Sequence, residues 1–225
     1  MVFMLAFRRK KLSKGENEVI LSMRSIKSFF IDVGNEILKK LNPDLKVSFE
    51  IVSHLTVKER IKINRLALRA KWISEIGSYV GASACCFGAS AWNNPRKTII
   101  CIDTWNNCAM SEGSRDTWDE FQKNTSIFRD YIIPVRGFST EVVERVRAIT
   151  DTLDLLFIDG DHSYQGVKAD WEAYKGFLTP GSIVIFHDYG WADGVKRVIQ
   201  EDVMPLVSTH DNLPNMWWGT LAKQP

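Results

Sequence analysis

Five side chains able to bind a cation or move a proton fall in two short runs, Asp159-Gly160-Asp161-His162 and His187-Asp188. Each run follows a stretch of apolar residues, Leu155 to Ile158 and Ile183 to Phe186, that reads as a buried strand. Carboxylates and imidazoles delivered to adjacent strand ends repel one another or share a cation. Taken singly, each could be a cap or a turn residue; as a group at two strand ends they point to metal or acid–base chemistry. A third run, Trp72-Ile73-Ser74-Glu75-Ile76-Gly77-Ser78-Tyr79-Val80-Gly81-Ala82-Ser83, reads as a strand, a glycine turn and a helix that begins near Gly81. A glycine there lets a ligand lie against bare backbone, and the helix start offers free N–H groups. The spacing is E-x-G-x-x-x-G. It is neither the G-x-G-x-x-G of dinucleotide enzymes nor the lysine-bearing loop that cradles phosphates.

Positioning these runs is the task of the elements around them. From Trp72 onward, strands expected at 72–76, 98–102, 131–135, 153–158 and 181–186 alternate with helices at 81–91, 115–128, 140–149, 164–177 and 191–203. Such alternation predicts an α/β fold, Rossmann-like and doubly wound, with a mostly parallel seven-stranded sheet. The last pieces, around Asp211-Asn212-Leu213-Pro214-Asn215, are expected to close it with a C-terminal antiparallel hairpin. Ligands in open sheets of this kind sit beyond the carboxyl ends of the strands. There the second strand delivers Asp103-Thr104-Trp105, and the third delivers Gly137-Phe138-Ser139. Asp103 could accept bonds from two ribose hydroxyls or serve as a loop cap. Ser139 is a natural helix N-cap.

Ahead of this region, residues 1–16 are basic and aperiodic and are expected to be a mobile tail. Residues 17–56 are expected to form an N-terminal helical cap, a substrate lid or an oligomer contact, with a helix over 17–41 broken near Gly34 and a short strand at 47–52. Residues 57–225 make the main domain, which opens with a helix over 57–71.

Composition narrows the classes. The chain has 225 residues, 45% hydrophobic and 25% charged, enough apolar material for a sizeable core. A formal net charge of +2 gives no reason to expect nucleic acid or an anionic membrane as partner. No segment approaches the roughly 20 apolar residues of a membrane span, and the apolar and basic residues near the start run in the reverse of a signal peptide's order. Cys85, Cys86, Cys101 and Cys108 show no C-x-x-C spacing and read as buried thiols in a reducing, cytoplasmic protein.

Three pieces carry a family resemblance: the run Ile158-Asp159-Gly160-Asp161-His162-Ser163-Tyr164, then Pro180-Gly181 before Phe186-His187-Asp188, and Ile102-Asp103-Thr104-Trp105. Together with the glycine turn they resemble the class I S-adenosylmethionine-dependent methyltransferases. Within that class they resemble the metal-assisted small-molecule O-methyltransferases of the macrocin and cephamycin type, over about residues 55–190. The resemblance implies S-adenosylmethionine as cofactor, held at its methionine end by Glu75, Gly77, Ser78, Tyr79, Gly81 and Ser83. It implies Asp103, Thr104 and Trp105 at the ribose and Ser139 at the adenine. Asp159, beside the cofactor, would be a metal ligand with His187 and Asp188, the ion being Mg2+ or Mn2+; relatives often offer two oxygen ligands where this chain has His187. Asp161 matches the general base of the sugar enzymes, and His162 stands where the catechol enzyme has a lysine.

The implied acceptor is a small hydroxylated molecule such as a sugar, and a homo-oligomer is one expected assembly. A metal-dependent hydrolase, a non-catalytic S-adenosylmethionine-binding protein and a nucleotide-dependent oxidoreductase are the alternatives. His54 could reach the cleft, although a surface histidine is the simpler reading. Trp217 and Trp218 could stack on a sugar, although packing in the hairpin is simpler.

Overall fold

The computed structural model describes residues 14–92, 94–107 and 115–225; of these, 14–27 and 107 are described by their backbone alone. In chain order the elements are α1 (Lys14–Leu41), α2 (Lys46–Glu50), α3 (Val57–Ala67), β1 (Trp72–Ile76), α4 (Ala82–Ala89), β2 (Thr98–Asp103), β3 (Asn106–Asn107) and β4 (Arg115–Asp116). There follow α5 (Trp118–Thr125), β5 (Ile132–Arg136), α6 (Val143–Arg147), β6 (Leu153–Ile158), α7 (Tyr164–Tyr174), β7 (Leu178–His187), α8 (Asp193–Val198), β8 (Val207–Leu213) and β9 (Met216–Leu221). Contacts divide the chain after Leu41: α1 belongs to one unit, and residues 42–225 form another.

The seven-stranded sheet of the second unit runs β5-β2-β1-β6-β7-β9-β8. The first five are parallel, while β9 is antiparallel to both β7 and β8. This is the expected doubly wound architecture with its closing hairpin. The inner strands are Ile-, Leu- and Val-rich because helices cover both faces, so neither face needs polar residues. Chain order reverses at β1, which has β2 on one side and β6 on the other. The ends of β1, β2, β6 and β7 therefore converge on one cleft, the usual place for a ligand.

Local chemistry sets the helix boundaries. Thr56 and Glu59 form a reciprocal capping box at the start of α3. The Ser163 hydroxyl accepts from the Gly166 N–H at the start of α7. On the inner face of α7, Val167, Trp171 and Tyr174 join Phe186, Leu156 and Trp217 in the core. Trp217 and Trp218 lie on β9 opposite Phe186 and Ile185 and are buried, so packing is their role. Cys85, Cys86 and Cys101 are buried free thiols, and burial pushes each pKa upward. No helix among the described residues is long and apolar enough to cross a membrane.

Several expectations are corrected. The strand expected at 47–52 is the short helix α2. Arg60 ties this segment down: its guanidinium donates to the carbonyl oxygens of Ser48, Ile51 and Leu55. The Ser48 hydroxyl donates to the Ala82 carbonyl at 2.8 Å, tying α2 to α4. Residues 42–56, which the sequence groups with the N-terminal helix, thus belong to the second unit. The helix over 17–41 is unbroken at Gly34 and starts at Lys14, so residues 14–16 are helical rather than tail. Residues 1–13, the rest of that expected tail, and Cys108 lie outside the described residues.

The helix expected at 115–128 begins with the short strand β4. That expected at 140–149 is a 3-10 turn at Ser139–Glu141 followed by α6. The one expected at 191–203 is α8 with a π-helical turn at Ile199–Val203.

Candidate active site

At the end of β1 the chain turns through Gly77 (φ 88°) and Gly81 (φ 89°), backbone conformations open to glycine. A Cβ on Gly77 would collide with the carbonyl oxygen of Asp159, because the ends of β1 and β6 approach closely here. Glu75 lies beneath the turn, fully buried, and accepts hydrogen bonds from the hydroxyls of Ser78 (2.8 Å) and Ser83. Burial pushes its carboxyl up to about 7, against those bonds. Glu75 and Gly81 therefore shape the turn from behind, while Gly77, Ser78, Tyr79 and Ser83 line the cleft.

Asp103 ends β2. Its carboxylate accepts from the Tyr79 N–H and the Trp105 N–H, each at 2.7 Å, which locks the two strand ends together. Each carboxylate oxygen has a second lone pair, so Asp103 can still accept from a ligand's hydroxyls. Tyr79 (φ 45°), Trp105 (φ 49°) and Asp188 (φ 58°) are the only non-glycine residues with positive φ among those described. All three follow strand ends at the cleft, the kind of position where strain accompanies function. Trp105 itself points away: its indole is fully buried, with ring centroids 4.7 Å from both Trp118 and Phe121. The expected cofactor contact of its side chain is corrected to one of packing, and Thr104 lines the cleft instead.

At the end of β7, Asp188 is the hub. Oδ1 accepts from Trp191 Nε1 (2.7 Å) and Asn215 Nδ2 (3.0 Å). Oδ2 lies 2.8 Å from His162 Nε2 and 3.3 Å from His187 Nδ1. Burial works to raise the Asp188 pKa, but the bonds from His162 and His187 overcome it and hold the carboxyl far below its usual range. His187 Nδ1 also lies 3.1 Å from Asp159 Oδ1. Burial opposes charging of His187, yet the Asp159 charge and the bonds to Asp159 and Asp188 raise its pKa. For Asp159 burial prevails and the pKa rises.

Asp159, His162 and Asp188 can each offer one ligand atom, all within 4.8 Å of one another. Two carboxylates and an imidazole form a donor set that suits a divalent cation, Mn2+ better than Mg2+. His187, expected among the ligands, also borders the cleft, almost wholly buried, with its Nδ1 against both carboxylates. Asp161 lines the cleft, but its Oδ1 accepts from the Ser163 N–H at 2.7 Å and its side chain fills the space over Gly166. His54 lines the cleft too, from an exposed position.

Ser139 does not cap the helix expected there; Phe138 precedes the 3-10 turn and Val142 stands at the start of α6, neither with a side-chain cap bond. The Ser139 hydroxyl instead donates to the buried carboxylate of Asp170 on α7.

The cleft encloses about 540 Å³, an ordinary size for a small-molecule site. Two carboxylates in or beside it escape the motif reading. Glu59 on α3 is buried with Oε2 3.8 Å from His187 Nε2. Its signal was the capping-box spacing Thr56-x-x-Glu59. Asp170 lies in the cleft wall. Its signal was a carboxylate on the otherwise apolar stripe of Val167, Trp171 and Tyr174.

Residues 74–189 match the family model described as Methyltransferase domain. An uncharacterized protein of Sinorhizobium fredii is 33% identical over 124 residues, 54% of this chain and 13% of that protein. An uncharacterized protein of Acanthamoeba polyphaga mimivirus is 30% identical over 142 residues, 59% of each chain. The chain thus matches well under two thirds of either relative's length. Among solved structures, the fold is similar to a TDP-rhamnose 3'-O-methyltransferase of calicheamicin biosynthesis, with TM-score 0.58 and 17% identity over 94% of this chain and 96% of that one. It is also similar to a Bacillus cereus O-methyltransferase in complex with SAH, with TM-score 0.56 and 14% identity over 84% and 90% of the two chains.

Proposed function

Because this chain belongs to the methyltransferase-domain family, as a class I S-adenosylmethionine-dependent methyltransferase, we propose that it methylates a hydroxyl oxygen of a small molecule with the help of a divalent cation. The observation that carries this reading is the Asp159, His162 and Asp188 donor group at the same strand ends as the Gly77 turn. An acceptor with neighbouring hydroxyls, such as a sugar, fits that group, and one protein of similar fold acts on TDP-rhamnose.

In this reading Gly77, Ser78, Tyr79 and Ser83 hold the methionine end of the methyl donor. Asp103 takes the ribose hydroxyls, and Ser139 faces the adenine. Asp159 and Asp188, with the His162 imidazole, hold the cation, and His187 lies against both carboxylates as a buried counter-charge. The cation, when bound, lowers the pKa of an acceptor hydroxyl that would otherwise be a poor nucleophile. Asp161 receives the hydroxyl proton. S-adenosylmethionine, when bound, would supply a sulfonium methyl group for transfer to that oxygen, with the neutral thioether S-adenosylhomocysteine as the leaving product. The cleft walls contribute by alignment. Buried free thiols fit the reducing cytoplasm expected from the cysteine pattern.

The test is release of S-adenosylhomocysteine in the presence of sugar and catechol diols, with Mn2+ or with chelator. Asp159→Ala is expected to lower turnover by at least about a hundredfold, and chelator to do the same. Full activity of that variant, or of chelated enzyme, contradicts the metal-assisted mechanism.

A further inference from the structure

Asp170 is a buried carboxylate in the cleft wall that the mechanism above does not use. It is 5% exposed and sits on the inward stripe of α7, where an apolar side chain would cost less to bury. One oxygen, Oδ1, accepts the hydroxyl proton of Ser139. Tyr174, one turn further along α7, donates from its hydroxyl to the Ser139 carbonyl at 2.9 Å, so both polar ends of Ser139 are fixed from the same helix. The other oxygen, Oδ2, accepts no hydrogen bond among the described residues and lies 3.3 Å from where a Cβ on Gly160 would stand. The missing side chain at Gly160 leaves that oxygen open to the cleft.

This arrangement has a directional consequence. With its proton committed to Asp170, the Ser139 oxygen can offer the cleft only lone pairs. The Asp170 carboxylate likewise offers only lone pairs. The wall at Ser139 is therefore an acceptor surface, matched to a ligand edge that carries N–H donors and hostile to one that carries a carbonyl.

Resting on the S-adenosylmethionine reading, we propose that Asp170 and Ser139 together select the purine base of the methyl donor, accepting from a 6-amino group and rejecting a 6-oxo group. Asp170 is then a specificity-determining residue, and its cost of burial is offset when the amino edge arrives. A purely structural Asp170 would matter for folding and would not distinguish the two bases.

The experiment is calorimetric titration of the full chain with S-adenosylhomocysteine and with its deaminated analogue, S-inosylhomocysteine. The wild type is expected to bind the adenosyl form at least about tenfold more tightly. Asp170→Asn, which can turn an amide N–H toward the cleft, is expected to lose that preference: the adenosyl form weakens while the inosyl form does not. Ser139→Ala keeps the carboxylate and removes the oriented hydroxyl; it is expected to reduce the preference as well, and it carries the test should Asp170→Asn fail to fold. A folded Asp170→Asn protein with the wild-type ratio of affinities overturns the proposal. So does an unchanged ratio in Ser139→Ala where that variant carries the test. Wild-type protein that binds the two forms equally overturns it while leaving the methyltransferase reading intact. Wild-type protein that binds neither overturns both.

Discussion

At the scale of single residues, two positions at the end of β1 carry the sharpest consequences. Gly77 holds a φ of 88° with no room for a Cβ against the Asp159 carbonyl. Gly77→Ala is expected to destabilise the fold by at least about 2 kcal/mol and to weaken S-adenosylhomocysteine binding, read by urea unfolding and by titration. A variant with wild-type stability would contradict the close approach of β1 and β6. Glu75 makes a pH-dependent contribution. Burial holds its carboxyl at about 7, whereas an unfolded chain releases that proton in the ordinary carboxylate range. Between those two values the folded state keeps the proton more tightly, so this group's contribution to stability falls as pH rises through about 7. The loss is on the order of 3 kcal/mol. Glu75→Gln is expected to remove it, so its stability should decline less than the wild type's from about pH 5 to about pH 8. Parallel pH profiles for the two proteins would show that Glu75 titrates normally.

At the scale of elements, α3 joins the cleft to its support. Its Thr56–Glu59 capping box places Glu59 beside His187, whose other ring nitrogen faces Asp159 and Asp188. Burial works to raise the Glu59 pKa, but the nearby His187 imidazole and the bonds from Thr56 hold it below the usual value. Glu59→Ala removes a cap and a counter-charge together and is expected to cost roughly 1–3 kcal/mol, measured by denaturant unfolding. A neutral effect would contradict the coupling of α3 to the site.

The elements also show what the sequence can convey. Alternating apolar strands and long helices made the parallel sheet legible, since both faces of β1, β2 and β6 are covered and most of their residues are apolar, Ser74 and Glu75 being the buried exceptions on β1. Short helices were not legible. Residues 47–52 lack a helical period, and α2 is fixed by contacts distant in sequence, the Arg60 guanidinium and the Ser48 bond to Ala82. Likewise Trp105 stands in a ligand-binding motif, yet it turns into an aromatic cluster because Trp118 and Phe121 arrive from the following helix.

At the scale of the whole molecule, the sheet order brings residues far apart in sequence to one place. Gly77, Asp103, Ser139, Asp159 and Asp188 close five different strands or their loops, and all line one cleft. Residue type and position after a strand were enough to name them. The side-chain directions were not foreseeable: Asp161 folds onto the first turn of α7, His162 joins the donor group, and Asp170 enters from the helix behind. The account as a whole makes the cleft a methyl-donor site with a cation pocket at one end. Calorimetric titration of S-adenosylhomocysteine into the purified chain, with and without Mn2+, tests it most directly. The account predicts micromolar or tighter binding at one site per chain, and separate Mn2+ binding that Asp159→Ala abolishes. Absence of S-adenosylhomocysteine binding under every metal condition would contradict it.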